Sequence, residues 1–303
     1  MKYAFIAEYA HEHSISLMCK VLKVSKSGYY SFAAGVKSER EKANEQLVGE
    51  IQTVYEATGQ RYGSPRIYKH LKQQGASCGR HRIARLMAQN GLVARAGRRF
   101  RITTRRAPNA RYATDKLQRN FTAERPHQVW VSDITYIWTL EGWLYLAVVL
   151  DLFSRMVVGW ATGASINAGL VCRAINSGLL RHGPAQETIF HSDKGSQYTS
   201  DLVNSCLAHN PEVPLIPSHG SSCYDNAVAE SFFHTLKTEC AQELEHLRTR
   251  QQAHRILFDY IEIFYNRQRL HSSIGDSTPA LMMEKYFSQE QKELNSLSEE
   301  TGQ

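Results

Sequence analysis

The hydrophobic pattern of the chain changes period near residue 125. Before that point apolar residues recur every three to four positions, which predicts short amphipathic helices. Two helices are expected within residues 13–34, and three more within 43–93, the last two ending at Gly75 and Gly91. The first pair fits a helix-turn-helix or an ordinary helical hairpin equally well. The later three, with a basic third helix, are typical of a DNA-reading helix-turn-helix domain.

After residue 125 the pattern consists of short apolar runs separated by turns. It predicts three strands, a helix, a strand, a helix, a strand and then one long helix over about 225–245. That order is typical of an α/β layered sheet whose first three strands are antiparallel. A further helix is expected near 248–271, with Arg267, Arg269 and His271 at its end, either touching DNA or packing on the core. The tail from residue 288 is expected to be solvated and partly disordered.

The charge divides the chain at the same place. Residues 1–125 carry an excess of 15 positive charges and residues 126–303 an excess of eight negative charges, which gives the net charge of +7. A basic N-terminal part favours nucleic acid as the partner, and the seven arginines of residues 95–111 predict an arm that follows DNA phosphates. The alternative is a solvated basic surface. The positions expected to contact DNA are Arg66, Lys69, Arg80, Arg82, Arg85, Arg98, Arg99, Arg101, Arg105 and Arg106.

The rest of the composition argues against several other classes. No apolar run approaches the roughly 18–20 residues of a membrane span, and Glu8 interrupts the N-terminal apolar run, unlike a signal peptide. The six cysteines show no C-x2-C spacing, so free thiols rather than a zinc site are expected. An intracellular protein is therefore expected.

One carboxylate, Asp133, stands in the middle of an apolar strand, VWVSDITYI. A buried charge is costly unless it is paired, so Asp133 needs a partner or a cation. Asp193 ends the strand TIFHS, and Glu230 lies in the first turns of the long helix, where both can reach the same sheet edge. Three anions repel unless Mg²⁺ balances them, and two ions about 3.5–4 Å apart assist in-line phosphoryl transfer. From the residues alone, Asp151 competes with Asp133 and Asp225 competes with Glu230, although both competitors also fit capping roles.

Five motifs in order resemble the insertion-sequence-three type of transposase, in particular its catalytic second reading frame (OrfB): VWVSDITYI, LYLAVVLDLFSRMVVGW, HSDKGSQYTS, CYDNAVAESFFHTLKTE and YNRQRLHSSIG. These proteins belong to the DDE transposase and retroviral integrase superfamily, and RYGSPRIYKHL resembles their helix-turn-helix module. The resemblance covers about residues 1–287. It implies an α/β fold with an RNase H-like core, a mixed five-stranded sheet with flanking helices, preceded by an all-α helix-turn-helix region. The implied segments are a helical segment 1–40, a helix-turn-helix domain 41–94, an arginine-rich linker 95–124, a catalytic core 125–247 and a C-terminal helical extension and tail 248–303.

Carried across residue by residue, the catalytic and metal-binding positions of the family fall on Asp133, Asp193 and Glu230. Between the last two lie 36 residues, one more than the family usually has. The extra residue is expected upstream of the helix, where it leaves the phase of Glu230 unchanged. Lys237 is expected either to meet a DNA phosphate or to be an ordinary surface lysine. Supporting positions beside the acids are Asn226 and Gln197.

The resemblance implies a DNA transposase that performs metal-dependent 3′-end cleavage and strand transfer. Two Mg²⁺ ions, with Mn²⁺ as a substitute, are the implied cofactors. The implied partners are insertion-sequence ends, target DNA and further copies of the chain on DNA, in the bacterial cytoplasm at the nucleoid and with no membrane. Frameshifting from an upstream frame often supplies a further DNA-binding segment in the family, so weak end binding by this chain alone is expected.

Two alternatives remain at this point. The first is a non-catalytic DNA-binding regulator with a degenerate integrase core, against which the presence of all three carboxylates argues. The second is a plain metal nuclease, which has no need of the arginine-rich arm.

Overall fold

A computed structural model describes residues 2–35, 37–95, 113–183, 187–208, 215–220 and 223–301, without the side chains of residues 223–224 and 297–301. The chain forms two compact units, Met1–Ala94 and Arg95–Gln303. In the described part of the chain, no helix combines the length and apolarity needed to cross a bilayer. The five cysteines whose side chains are described are free thiols, as expected.

The first unit is all helical. Its helices are α1 (Lys2–Glu8), α2 (Ile15–Val21), α3 (Lys26–Ala33), α4 (Glu39–Ala57), α5 (Ser64–Gln73) and α6 (Arg80–Gln89). Helices α2 and α3 were expected, but α1 was not. It adds the fully buried Ile6 to a small core made with Met18, Cys19 and Tyr29.

Helices α4, α5 and α6 are the three predicted for the helix-turn-helix domain. Helix α4 begins with a capping box, in which Ser38 and Glu41 satisfy each other's backbone N–H groups. In α5, Gly63 holds the cap position and makes no side-chain bond, while Ser64 and Pro65 already belong to the first turn.

The second unit is built on a mixed five-stranded sheet. Its strands are β1 (Val129–Thr139), β2 (Gly142–Asp151), β3 (Val157–Gly163), β4 (Thr188–Ser192) and β5 (Leu215–His219), in the spatial order β3-β2-β1-β4-β5. As predicted, the first three strands are antiparallel, whereas β4 runs parallel to both β1 and β5. Strand β4 pairs with β1 only through Val129–Val131. The remainder of β1 therefore has β2 as its one strand neighbour in the described sheet.

Helix α7 (Ala168–His182) covers the sheet at close range. A Cβ at Gly159 of β3 would lie 2.3 Å from the carbonyl oxygen of Ala174 and 2.6 Å from the amide nitrogen of Gly178. Glycine at position 159 therefore allows helix and strand to approach. Trp130, Phe190 and Ile175 belong to the core between these layers.

The long helix expected over about 225–245 is broken. Helix α8 (Asp201–Ala208) follows β4, and a 3-10 turn at Cys223–Asn226 leads into α9 (Ala227–Glu239), which stops at Cys240 before the short α10 (Ala241–Leu244). Helix α11 (Arg250–Phe258) continues as a π-helix over Asp259–Tyr265, and α12 spans Pro279–Thr301. The tail expected to be partly disordered is therefore helical, although its side chains over 288–296 are exposed as expected.

The segment that follows the π-helix packs on the core. Arg269 and His271 are buried, and Arg269 forms an ion pair with Glu239 at the end of α9, with Nη2 and Oε1 3.0 Å apart. Of the two roles expected for these residues, packing is the one observed. Arg267 is exposed.

Candidate active site

Three elements carry the three predicted acids. Asp133 lies in β1, Asp193 directly follows β4, and Glu230 lies in the first turn of α9. Phe232 and Leu236 of this helix are buried, whereas Glu230 is exposed. Strands β1 and β4 are parallel, with Val131 opposite His191, so continuing that register places Asp133 of β1 level with Asp193, just past the end of β4.

The electrostatic environment of Asp133 includes the other two acids. Burial raises the pKa of Asp133 to about 8, and the negative charges of Asp193 and Glu230 act in the same direction. The Ile134 N–H, 2.7 Å from Oδ1, and the ammonium of Lys237 oppose this rise in pKa. Burial also raises the pKa of Asp193 and of Glu230. The fold therefore makes the carboxyl group of Asp133 difficult to ionise without a nearby positive charge.

The acids do not form a closed coordination shell in the observed side-chain positions. Within the described residues, no three His, Cys, Asp or Glu side chains lie close enough together to hold one ion. Glu230 is exposed on its helix, so its side chain is the least constrained of the three.

Hydrogen bonds hold the part of β1 that carries Asp133 in place. The Nδ2 of Asn226 donates to the carbonyl oxygen of Ser132 at 2.9 Å, tying the start of α9 to β1. The hydroxyl of Ser132 donates to Val148 O and lies 2.9 Å from the Tyr198 hydroxyl. Asn226 is buried, and its Oδ1 has no hydrogen-bond partner among the residues that the structure describes. A buried acceptor without a donor is uncommon and costly, so this atom marks a place where a donor is missing.

The loop after Asp193 is shaped by Gly195. Its N–H donates to Asp193 Oδ1 at 3.0 Å. A Cβ at this position would lie 2.6 Å from Gln197 Nε2 and 3.0 Å from Asp193 Oδ1. A side chain at position 195 would therefore displace the Gln197 amide, which lies at the end of a flexible side chain, and would crowd the Asp193 carboxylate.

Lys237 faces the acids rather than open solvent. It is half-buried two turns after Glu230, and its Nζ lies 5.1 Å from the centre of the Tyr136 ring. Burial lowers the pKa of Lys237 to about 8, while the charge of Asp133 raises it. No sequence pattern indicates this ring contact, because Tyr136 and Lys237 lie on different elements.

Both competing acids have structural roles. Asp151 is fully buried and accepts hydrogen bonds from the N–H of His127 at 2.7 Å and from the N–H and hydroxyl of Ser154 at 2.8 and 2.6 Å. This confirms the capping interpretation for Asp151. Asp225, expected as a helix cap, instead pairs with Arg119 Nε at 2.8 Å, and Asn226 takes the cap position without a side-chain cap bond.

The basic residues expected to contact DNA fall into two groups. Arg66 and Lys69 lie on α5, and Arg80, Arg82 and Arg85 on α6. An open cavity of about 580 Å³ is lined by Arg40, Ala43, His81, Arg82 and Arg85, and Arg82 Nε donates to Asn44 Oδ1 at 2.9 Å. Arg98, Arg99, Arg101, Arg105 and Arg106 lie outside the described residues.

Sequence reasoning missed two of the cavity residues. Arg40 belongs to the first turn of α4, and His81 lies between the arginines of α6. A signal for Arg40 was present, since it occupies the basic N-terminal half, but only the packing of α4 against α6 brings it to this cavity.

Comparison with known proteins defines the class. The family model described as "Integrase core domain" matches residues 123–256, a second model of that description matches 230–285, and "HTH-like domain" matches 42–100. Among solved structures, the chain resembles the simian T-cell lymphotropic virus intasome at a TM-score of 0.44 and 12% identity, over 77% of this chain and 74% of that one. It also resembles the HTLV-2 integrase catalytic core in complex with magnesium, at a TM-score of 0.40 and 16% identity, over 53% and 98%. The chain is an integrase-core protein with a helix-turn-helix-like region.

Curated relatives make the assignment more specific. The transposase InsF for insertion sequence IS3A of Escherichia coli K12 is 39% identical over 282 residues, covering 92% of this chain and 97% of the relative. A 31 kDa protein of insertion element IS600 from Shigella sonnei is 39% identical over 271 residues, covering 89% and 98%. The chain therefore belongs to the IS3 family of DNA transposases, enzymes of the DDE polynucleotidyl transferase class.

Proposed function

We propose that this transposase performs metal-dependent 3′-end cleavage and strand transfer of an insertion sequence, with Asp133, Asp193 and Glu230 as its catalytic and metal-binding carboxylates. The observation that carries the proposal is the state of Asp133. Its pKa is raised to about 8 by burial and by the other two acids, so the site favours a cation that would let all three ionise.

The donor set suits a hard divalent cation. Carboxylate oxygens are the ligands that Mg²⁺ prefers, with Mn²⁺ as a substitute, and two such ions are proposed at the acids. When bound, these ions would lower the pKa of a coordinated water molecule and would neutralise negative charge on phosphate oxygens. The unpartnered Oδ1 of Asn226 fits the same assignment, because it can accept a hydrogen bond from a water molecule held at the site.

The chain's own residues have separate tasks in this proposal. Asp133 and Asp193 are held on the sheet by Ile134 N–H and Gly195 N–H, so their positions are fixed by the backbone. Glu230, on the exposed side of α9, completes the set. Lys237, already beside Asp133, would meet a DNA phosphate entering the site. After cleavage, the freed 3′ hydroxyl of the element end would attack a target phosphodiester, and the displaced 3′ oxygen leaves as the new bond forms.

DNA binding is assigned to the basic helices of the first unit and to the arginine-rich stretch that follows it in the chain. The residues proposed to hold phosphates are Arg66 and Lys69 on α5, Arg80, Arg82 and Arg85 on α6, and Arg98, Arg99, Arg101, Arg105 and Arg106. Insertion-sequence ends and target DNA are the two proposed partners, bound by more than one copy of the chain at the nucleoid. Phosphate contacts supply affinity, whereas base contacts in a groove supply specificity.

A strand-transfer assay tests the catalytic assignment. The full chain is incubated with Mg²⁺, a labelled duplex carrying the element's terminal sequence, and target DNA. Asp193→Asn should reduce joining by at least about a hundredfold, because it removes an anionic ligand of the proposed Mg²⁺ ions, which would stabilise charge on the reacting phosphate. Asp201→Asn, a matched change at an exposed aspartate in the first turn of α8, should leave joining unchanged.

Two results would contradict the proposal. Joining by Asp193→Asn at the wild-type rate would remove the carboxylate assignment. Cutting without any joining by the wild-type chain would instead indicate a plain nuclease.

A further inference from the structure

An exposed group of aromatic rings lies at the tip of the β1–β2 hairpin. Trp138 is 55% exposed and Trp143 is 42% exposed. The two face each other across the hairpin with ring centres 4.8 Å apart, and Tyr136 meets Trp143 edge-on at 5.0 Å. We call Tyr136, Trp138 and Trp143 the hairpin aromatic cluster. Large exposed aromatic side chains in one place usually mark a binding surface.

The hairpin aromatic cluster is continuous with the candidate active site. Side chains alternate along β1, so Asp133 and Tyr136 start on opposite faces of the strand. The ammonium of Lys237 nevertheless interacts with both, lying over the Tyr136 ring and within the electrostatic reach of Asp133. This is possible because β4 pairs with β1 no further than Val131. Lys237 can therefore reach both the Asp133 face and the Tyr136 face of β1, along the part of the strand that does not pair with β4.

Positive charge flanks the cluster at both ends. Lys237 lies at the end nearer the acids. At the other end the guanidinium of Arg250 donates through Nε to the carbonyl oxygen of Trp143 at 3.0 Å, and its backbone N–H donates to Glu141 at 2.9 Å. Rings interleaved with cations are the usual makeup of a surface that binds single-stranded nucleic acid.

The spacing fits a DNA strand. Tyr136 and Trp138 are three and five residues beyond Asp133, or roughly 10 and 17 Å along a strand that rises about 3.3 Å per residue. At about 3.4 Å per nucleotide, these distances correspond to roughly three to five nucleotides. A phosphate at the acids would therefore place the bases three to five positions away beside the rings.

We propose that the hairpin aromatic cluster stacks unpaired bases of the DNA strand whose phosphate lies at the carboxylate site. This rests on the proposed function, since it takes the acids as the place where that phosphate is held. The ligand class is an unpaired stretch of a few nucleotides beside the scissile bond. Stacking does not depend strongly on base identity, so the cluster recognises an opened end rather than a sequence.

A second copy of the chain is a weaker candidate for this surface. The exposed parts of Trp138 and Trp143 together amount to roughly 240 Å², if a whole Trp offers about 250 Å². Standard interfaces need about 800 Å² from each partner. The patch is therefore small for a stable dimer, but its size suits one or two bases.

The test measures stacking separately from catalysis. The full chain carrying Asp193→Asn is titrated, in Mg²⁺ at fixed salt, into a duplex with an unpaired tail of about five nucleotides and 2-aminopurine at the third or fifth tail position. Quenching of the 2-aminopurine reports stacking, and a fully paired duplex is the matched ligand. Trp138→Leu and Trp143→Leu replace the ring with an apolar side chain that has none. Trp138→Phe and Trp143→Phe keep a ring at the same two positions. Phe258→Ala removes an exposed ring on α11, outside the cluster.

The Leu variants should lose the quenching and weaken binding of the tailed duplex about fivefold to a hundredfold, the range given by stacking energies per base. The Phe variants and Phe258→Ala should retain both properties, and binding of the paired duplex should change less than about twofold in all of them. Quenching and affinity that are unchanged in the Leu variants would overturn the proposal. So would loss of self-association in sedimentation with tail binding intact, which would assign the cluster to a contact between copies.

The same samples separate this proposal from the catalytic one. DNA joining by Asp193→Asn, seen on a gel, would contradict the carboxylate assignment while the quenching still reports on the cluster. Loss of tail binding in the Leu variants with joining abolished by Asp193→Asn supports both.

Discussion

Replacing Arg269 with Met should strongly destabilise the second unit, because it leaves Glu239 buried without its cation. Glu239 and Arg269 are 5% and 6% exposed. Arg269 Nε lies 3.1 and 3.0 Å from the two carboxylate oxygens, and the Tyr260 hydroxyl donates to Oε2 at 2.9 Å. Glu239 ends α9, the helix that carries Glu230, so the pair also fastens that helix to the C-terminal segment.

The magnitude follows from the geometry. Unit charges about 3 Å apart attract by roughly 5–6 kcal/mol at an effective dielectric constant of about 20, before the cost of desolvation. Removing one partner of such a buried pair costs about 3–5 kcal/mol, because the remaining charge has lost its compensation. For a unit of this size, about 2–4 °C per kcal/mol gives a fall in Tm of roughly 6–20 °C. Met keeps much of the length of Arg, so loss of packing contributes little.

Tryptophan fluorescence is a selective assay for this variant. All four tryptophans, at positions 130, 138, 143 and 160, belong to the second unit, so their emission follows its unfolding in urea without a contribution from the first unit. Arg267→Met, at an exposed position two residues away, is the matched control and should change the free energy of unfolding by no more than about 0.5 kcal/mol. Adding Glu239→Gln to Arg269→Met should restore much of the loss. Equal stability of Arg269→Met and Arg267→Met would refute the reasoning.

Three further outcomes are expected. Gly159→Ala should lower the free energy of unfolding by about 1–3 kcal/mol, because the added methyl group overpacks against the backbone of α7. Gly49→Ala, whose new Cβ would have no neighbouring atom within 4 Å, should raise the free energy of unfolding by about 0.5–1 kcal/mol. Thermal melting measures both changes. Burial lowers the pKa of His127 in the folded chain to about 4, and its Nδ1 accepts a hydrogen bond from the Trp130 indole N–H. As the pH falls, the unfolded chain therefore binds a proton at this histidine before the folded chain does. Stability should therefore fall as pH drops from about 6.5 to 4, and His127→Gln should flatten that part of a urea-midpoint profile. DNA affinity should fall steeply with salt, and Arg85→Ala should reduce the log–log slope by about one, whereas a flat profile would contradict phosphate binding.

The strands could be predicted because each one is a short apolar run bounded by turn residues. The errors fall where tertiary contacts decide. Helix α1 buries little besides Ile6, so its own pattern is weak. The helix break at Cys240 is invisible in a sequence that keeps an apolar stripe from Phe232 to Leu247, because α9 ends there without a proline or glycine. The sequence left Arg269 open between a DNA contact and packing, because its partner Glu239 lies 30 residues away.

The acid site shows the same division. Asp133 was predicted as chemically significant because a charge in an apolar strand is anomalous. By contrast, the ring beneath Lys237 and the bond from Asn226 to Ser132 join elements far apart in sequence. No local pattern specifies such contacts. They appear only when the sheet order and the start of α9 are known.

Asp133 and Asp151 differ in how the fold treats a carboxylate within one hairpin. Burial raises the pKa of both. Asp151 is compensated within the protein, since it accepts three hydrogen bonds from His127 and Ser154. Asp133 accepts one, from Ile134 N–H, and faces two further acids. An acid whose burial is satisfied internally has no need of an external cation, whereas Asp133 retains a desolvated charge that one lysine only partly offsets. That difference in compensation, which spacing alone did not reveal, is the physical reason for proposing metal binding at Asp133, whereas Asp151 stabilises the turn.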